Sequence, residues 1–156
     1  MKKNSYVIII ALALTFLIIN MTHSKVYSDG KYVNELNKLL TKRIVTMNKG
    51  LYESDVDISA IKEELKKIEY GKLLKDDLEI IEYVRNNPTD YSYVTKAKIE
   101  ESKLIDENEN SLKVKIKVKW TFNSIEDEIS ANNYLIIDIV KEKGRYLMTN
   151  IVFINE

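Results

Sequence analysis

Four lysines make the most regular pattern of chemical groups in the chain. They alternate with apolar residues through the segment SLKVKIKVKWTF and stand at Lys113, Lys115, Lys117 and Lys119. An alternation of period two is typical of a β-strand with one face on a core and the other in water. The lysines are therefore predicted to face outward. They are either solvated side chains paired with acids on neighbouring strands, such as Glu100 and Asp138, or a basic surface for an acidic partner, a cell-wall polymer or a lipid headgroup.

Composition narrows the nucleophilic and metal chemistry open to the chain. There is no cysteine, and His23 is the single histidine. Cysteine nucleophiles and thiolate metal sites are therefore excluded. If the segment that contains His23 is removed, serine–histidine triads and histidine metal sites are excluded as well. We predict no metal site and no cofactor.

Two segments resemble calcium-binding loops in spacing alone. Residues 106–117 match the first three ligand positions of an EF-hand loop, but Ser111 replaces the required glycine and Lys117 the bidentate glutamate. Residues 55–66 fail at the same two positions. Neither segment is predicted to bind calcium.

The charge balance argues against nucleic acid as a partner. The chain has 24 basic and 24 acidic residues, but Lys2, Lys3 and Lys25 all precede the first acidic residue, Asp29. Residues 29–156 therefore carry 21 basic and 24 acidic groups, a net charge of −3. Sequence-independent binding to nucleic acid depends on an excess of basic side chains.

Residues 1–28 predict export. Two lysines precede an apolar run at residues 7–19 that is broken only by Thr15. A helix of this length would span roughly 20 Å, less than the ~30 Å hydrocarbon core of a bilayer. The run is typical of a signal peptide with cleavage after Ser24 or Ser28, and retention as a short membrane anchor is the alternative. In both cases residues 29–156 are predicted to lie outside the cell or on the outer face of the cytoplasmic membrane.

Residues 29–156 predict a single α+β domain. Apolar residues recur every three or four positions before Pro88 and every two positions after it. Helices are predicted over 29–49, from Ile58 and through LLKDDLEIIEYV, and strands over YSYVTKAKIEES, SLKVKIKVKWTF, YLIIDIVK and YLMTNIVFI. Gly50 is predicted to end the first helix. We expect N-terminal helices packed on a bent antiparallel sheet of about four strands, preceded by an N-terminal hydrophobic helix.

This order of elements resembles the nuclear transport factor 2-like, or cystatin-like, exported domains of bacteria. The resemblance spans residues 31–154 and rests on TMNKGLYESD, KVKIKVKWTF and YLIIDIVKEKGRYLMTNI, with Gly144, Arg145 and Tyr146 at the closing turn. A tryptophan is common where Tyr146 stands. The resemblance implies a cone-like domain, in a superfamily of isomerases, dehydratases, secretion-machine subunits and noncatalytic modules. A short anchor before an outer domain also resembles the bitopic core subunits of conjugative secretion systems.

Asp138 is the candidate catalytic residue, because it is the only ionisable acid or base in the apolar run LIIDIV. If Leu135 and Ile137 face the core, Asp138 points outward. The opposite strand register would place it inside the cone as a general base near a tyrosine, as the resemblance to isomerases implies. Candidates to line such a pocket are Tyr70, Tyr83, Tyr91 and Tyr93.

The closing hairpin predicts a protein interface. Both of its faces are apolar, and helices can cover only one of them. The uncovered face is predicted to bind a protein partner or a second copy of the chain through Tyr134, Ile136, Val140, Tyr146, Met148 and Val152. The alternative is that a loop of the chain itself or its first helix covers this face. The sequence favours an exported or membrane-anchored noncatalytic protein-binding module, such as an envelope or secretion-machine assembly subunit. A small cavity enzyme that uses Asp138 is the alternative.

Overall fold

The computed structural model describes residues 30–88, 93–123 and 129–154. Its helices are α1 (Gly30–Tyr52), α2 (Ile58–Leu65) and α3 (Lys72–Asn86), and its strands are β1 (Tyr93–Asn108), β2 (Ser111–Asn123), β3 (Ile129–Glu142) and β4 (Arg145–Ile154). The strands form one antiparallel sheet in the order β1-β2-β3-β4. The three helices pack on this open sheet, so the predicted α+β fold class is confirmed. The predicted hydrophobic helix at residues 7–19 lies outside the described residues.

The core forms between the helices and one face of the sheet. Alternate residues of β2 point to this face, and each of them is at most 8% exposed: Leu112, Val114, Ile116, Val118 and Trp120. The neighbouring strand adds Leu135, Ile137 and Ile139, which pair with Ile116, Val114 and Leu112. From α1, Leu36, Leu40 and Ile44 lie on the same side of the helix and complete the layer. In the described ranges no helix is long and apolar enough to cross a membrane.

Arg85 holds the helices together at the end of α1. Its Nε donates to the carbonyl oxygen of Gly50 at 2.6 Å, and its Nη1 and Nη2 donate to the carbonyls of Val56 and Glu53, each at 2.9 Å. The last carbonyls of a helix have no partner within the helix, so a guanidinium from α3 satisfies groups that would otherwise need water. The planar fork of arginine makes this contact possible, and the single ammonium of lysine cannot reproduce it.

Gly50 does not end the first helix, contrary to the sequence prediction, since α1 continues to Tyr52. It is buried at a close contact between helices. A Cβ atom at this position would lie 2.7 Å from Cδ1 of Ile81 and 3.3 Å from Cγ2 of Ile61. The glycine is therefore required by packing and not by helix termination.

We expect Gly50→Ala to lower the thermal unfolding midpoint. Alanine is favoured over glycine inside a helix by about 1 kcal/mol, but overpacking a core costs about 1–3 kcal/mol. Adding Ile81→Val removes the Cδ1 atom that the new methyl group meets, so the double variant should recover part of the loss. A rise in the midpoint of the single variant would contradict this account of Gly50.

Candidate functional site

The four predicted lysines of β2 lie on the face of the sheet away from the core. Lys113 Nζ lies 3.3 Å from Asp138 Oδ1 on β3. Lys117 Nζ lies 3.2 Å from Glu101 Oε1 and 3.9 Å from Glu100 Oε2 on β1. The hydrogen bond to Glu101, with the charge of that carboxylate, raises the pKa of Lys117. The lysines thus have the acidic neighbours that the sequence suggested, and their role in binding stays a prediction.

Two of these lysines also cover an aromatic ring. Lys115 Nζ lies 5.1 Å and Lys117 Nζ 5.9 Å from the ring centroid of Tyr134. Ammonium groups within about 6 Å of a ring centroid are attracted to the ring face. Their aliphatic stems shield the ring while the charges remain near water, so Tyr134 is half-buried although no described helix packs on this face.

The same face holds two pairs of like charges. Lys119 lies directly opposite Lys98, and Lys115 directly opposite Lys103. Like charges directly opposite each other in an antiparallel pair destabilise a sheet. The pair Lys98–Lys119 therefore lowers the stability of the sheet locally.

The predicted interface residues divide between the two faces of the sheet. Tyr134, Ile136, Val140 and Val152 lie on the outer face, beside the lysines. The first three are half-buried and Val152 is 43% exposed. These four residues and Ile154, which pairs with Tyr134, are called the apolar stripe below.

The predicted outward orientation of Tyr146 and Met148 is wrong. Met148 lies opposite Ile139 in the core and is 0% exposed, and Tyr146 packs against the same core. A register shift at Asp138 and Ile139 causes the difference. The extra residue reverses the alternation in the first half of β4, so that Leu147, not Met148, shares the outer face with Val140, where it is 2% exposed.

Asp138 points away from the cavity. Its Oδ1 pairs with Lys113, and its Oδ2 accepts a hydrogen bond from Asn150 Nδ2 at 3.1 Å. The strand register that would place this carboxylate inside the cone as a general base does not occur. The catalytic hypothesis for Asp138 therefore has no geometric support.

Sequence reasoning missed a buried ionic cluster between the helices. Arg43 on α1 donates from Nε and Nη2 to the two carboxylate oxygens of Asp77 on α3, at 2.7 and 2.6 Å. Glu69, between α2 and α3, lies with its Oε1 3.0 Å from Arg43 Nε. The side chains of Glu69 and Asp77 are 0% and 2% exposed. Burial disfavours the charge of Arg43, but the two acids outweigh it and raise its pKa.

Two sequence signals could have revealed this cluster. The chain has 21 lysines and only three arginines, so an arginine is expected where a planar, bidentate donor is needed. Asp77 also lies four residues after Leu73 and four before Ile81, which places a carboxylate on the buried side of α3. Glu69 carries no comparable signal, because its position depends on the backbone bridge between Glu69 and Met148.

Glu69 is the acid of this cluster that has the weaker contact with Arg43. Arg43 Nε donates to Asp77, and both carboxyl oxygens of Glu69 are buried without a hydrogen-bond partner among the described residues. Burial, together with the charge of Asp77, raises the pKa of Glu69 to about 8, although Arg43 opposes the shift. The group is therefore largely protonated and neutral at pH 7.

A cleft of about 320 Å³ opens at one end of the core, between the second half of α1 and the strand ends. We call it the end cleft. Its walls are mainly apolar and include Met47, Leu51, Val94, Trp120 and Phe122, with Arg43, Asn48 and Asn133 as polar groups. Of the tyrosines proposed to line a pocket, Tyr93 borders this cleft, Tyr70 and Tyr83 are exposed elsewhere, and Tyr91 lies outside the described residues.

We expect the free energy of unfolding to fall as the pH rises toward 8, because of Glu69. The unfolded glutamate titrates near 4.5 and the folded one near 8. Between these values the folded state holds the extra proton, so stability declines by at most about 1.4 kcal/mol per pH unit. Glu69→Gln should flatten this decline, as measured by urea unfolding from pH 5 to 9.

The matched control for this pH dependence is Glu63→Gln. Glu63 is exposed, and its hydrogen bond with Lys66 lowers its pKa, so its contribution is lost only as the pH falls below the ordinary glutamate value. An unchanged decline in Glu69→Gln, or a flattened one in Glu63→Gln, would show that Glu69 is not the group responsible.

No family model and no curated protein match the chain. Among solved structures it is similar to the intermembrane space region of the chloroplast protein ARC6, with 6% identity over 80% of this chain and 97% of that chain, at a TM-score of 0.50. It is also similar to Aln2 from a Streptomyces species, with 10% identity over 83% of this chain and 93% of that chain, at a TM-score of 0.51. For an IcmL-like type IV secretion system protein from Legionella pneumophila the identity is 15%, the coverage 81% and 94%, and the TM-score 0.48. The likenesses to ARC6 and Aln2 concern the fold alone.

Proposed function

We propose that the protein is an exported or membrane-anchored noncatalytic module that binds an acidic protein partner through the outer face of its sheet. The single observation that carries this proposal is the arrangement of that face. A double row of lysines on β1 and β2 runs beside the apolar stripe on β3 and β4. No described helix packs on either.

Charge favours an acidic partner over a second copy of the same face. The cross-strand pair Lys98–Lys119 places two positive charges directly opposite each other, while Lys113 and Lys117 lie beside Asp138 and Glu101. Two such faces brought together would repel each other at the lysine rows. An acidic surface would instead be attracted to the lysines. Such complementary charge disfavours wrong partners and increases the association rate.

The apolar stripe favours a protein over a polyanionic polymer or an anionic membrane. A polymer such as a cell-wall polyphosphate would use the lysines alone. Interface cores between proteins are apolar and enriched in aromatic residues, with a polar rim. Tyr134, Ile136 and Val152 supply such a core, and the adjacent lysine rows supply one side of the rim.

Support for export comes from residues 1–28, whose basic start and apolar run are typical of a signal peptide or a short anchor. Residues 29–156 would then work outside the cell or at the outer face of the cytoplasmic membrane. An assembly subunit of an envelope or secretion complex would fit a small domain whose accessible features are surfaces for other proteins. The resemblance to bitopic secretion subunits points in the same direction.

We expect a photoreactive amino acid at position 152 of the full chain to cross-link to one protein in the cells that produce it. The same residue at position 80 should not, because Ile80 is equally exposed, at 47% against 43%, but lies on α3. Lys103→Glu should reduce the product at least about tenfold, the effect of losing ~1.4 kcal/mol of binding free energy. The readout is a mass-shifted band identified by mass spectrometry.

Lys62→Glu, a charge reversal of an exposed lysine on α2, is the matched control and should leave the product unchanged. Lys103→Glu should also leave the fold intact or stabilise it by about 0.2–1 kcal/mol, since it removes a like-charge pair. Equal amounts of cross-linked product at positions 152 and 80 would contradict the proposal. A product that contains a second copy of this chain would also contradict it. So would the finding that anionic lipid vesicles, and not a protein, cover position 152.

We expect Ile136→Glu combined with Val152→Glu to abolish this cross-link without unfolding the domain. Both side chains lie on the outer face, where Ile136 is half-buried and Val152 is 43% exposed, so the new carboxylates can extend into water. Met148→Glu should instead unfold the domain, because it places a charge in the core at a 0% exposed position. Circular dichroism separates the two outcomes, and unfolding by the 136/152 pair would show that the stripe is covered.

A further inference from the structure

We propose that the end cleft binds a small, uncharged molecule made largely of aromatic or aliphatic rings. This site lies on the helix side of the sheet and is independent of the protein-binding face. Its volume of about 320 Å³ is near the lower limit of the ~300–1,000 Å³ typical of ligand pockets. That volume suits a ligand of two or three rings and is small for a folded segment of another protein.

Exposed aromatic rings gather at the rim of the end cleft. Tyr52, Tyr93 and Phe153 line it and are 41%, 39% and 63% exposed. The rings of Tyr52 and Tyr93 are tilted by 51° with their centroids 5.6 Å apart. Each large ring that a ligand removes from water contributes roughly 1.5–3 kcal/mol when fully covered. Three rings at one opening therefore favour an apolar occupant.

The electrostatics of the cleft favour a ligand without charge. Arg43 is the only charged side chain among the described residues that line it. Its charge is already matched by the bidentate pair with Asp77, at 2.6 and 2.7 Å. An anionic ligand would lose its hydration and find no unbalanced positive charge to replace it. The other polar groups of the lining are uncharged: Asn133, the hydroxyls of Tyr52 and Tyr93, and Asn48, whose Nδ2 already donates to the carbonyl oxygen of Val94 at 2.7 Å. Such groups suit neutral hydrogen-bonding atoms.

Trp120 is a fluorescent reporter in the wall of the end cleft. It is the only tryptophan in the chain, lines the end cleft and is 8% exposed. Its indole Nε1 is buried without a hydrogen-bond partner in the described part of the chain. Energy transfer from this single residue to a bound dye reports binding, and substitutions locate the bound dye.

The test compares two dyes that share one ring system. N-phenyl-1-naphthylamine is neutral, and 1-anilinonaphthalene-8-sulfonate carries one negative charge. With excitation of Trp120 in the full chain, the neutral dye should show saturable energy transfer and bind at least about ten times more tightly than the sulfonate, a difference of ~1.4 kcal/mol. Equal or tighter binding of the sulfonate would overturn the proposal.

Substitutions at two adjacent asparagines locate the site. Asn133 lines the end cleft opposite Val118, whereas Asn132 lies opposite Lys119 on the other face of the sheet, and both are exposed. Asn133→Phe should weaken binding of the neutral dye at least about fivefold by occupying the opening, and Asn132→Phe should leave it unchanged. Phe153→Ala should weaken it as well, without unfolding, since it removes an exposed rim ring.

Three further outcomes would contradict a small-molecule site. One is an equal effect of Asn132→Phe and Asn133→Phe. Another is a signal that rises without saturation. The third is loss of dye binding as the protein concentration rises, which would mean that a second copy occupies the cleft. Ile136→Glu changes only the outer face, so its dye binding should match that of the unmodified chain whether or not the protein-binding proposal is correct.

Discussion

The arrangement of the helices depends on the buried contact between Arg43, Asp77 and Glu69. These residues come from α1, from α3 and from the link before α3, so one cluster fixes three segments relative to each other. Removing one member of a buried ion pair costs about 3–5 kcal/mol, because the remaining charge loses both water and partner. Two acids beside one arginine would leave an excess negative charge in the core. The raised pKa of Glu69 avoids this, since its protonated form makes the cluster neutral overall.

The ionic cluster also determines the character of the end cleft. Arg43 lines that cleft with a side chain that is 23% exposed, and Asp77 behind it offsets its charge. A cleft with an unmatched arginine would select carboxylates or phosphates. Here the charge of Arg43 is offset by Asp77 and the walls around it are apolar. The packing of α1 against α3 therefore favours uncharged ligands in the end cleft.

The sheet separates an apolar, buried face from a charged face that no described helix covers. On its inner face, β2 and the middle of β3 supply apolar side chains that are at most 8% exposed. On its outer face, the same strands carry lysines, Asp138 and Tyr134. On that face Lys98 and Lys119 lie directly opposite each other, which lowers the stability of the sheet. Departures from local stability of this kind are expected where a surface serves a partner.

The fold class and the two faces of β2 could be predicted from the sequence alone. Period two in SLKVKIKVKWTF determines which side chains share a face, whatever the strand packs on, and the change of period after Pro88 separates helices from strands.

The contacts that fix the structure could not be predicted, because they join residues far apart in the chain. Gly50 reads locally as a helix end, yet the approach of Ile81 from α3 is what requires it. Met148 and Tyr146 face the core because one extra residue in β4 reverses the alternation, and a register shift depends on the pairing of two strands and not on either strand alone. The protonated state of Glu69 is likewise a tertiary property, since it follows from burial beside Asp77, which only the packing of α3 against β4 and the preceding link brings about.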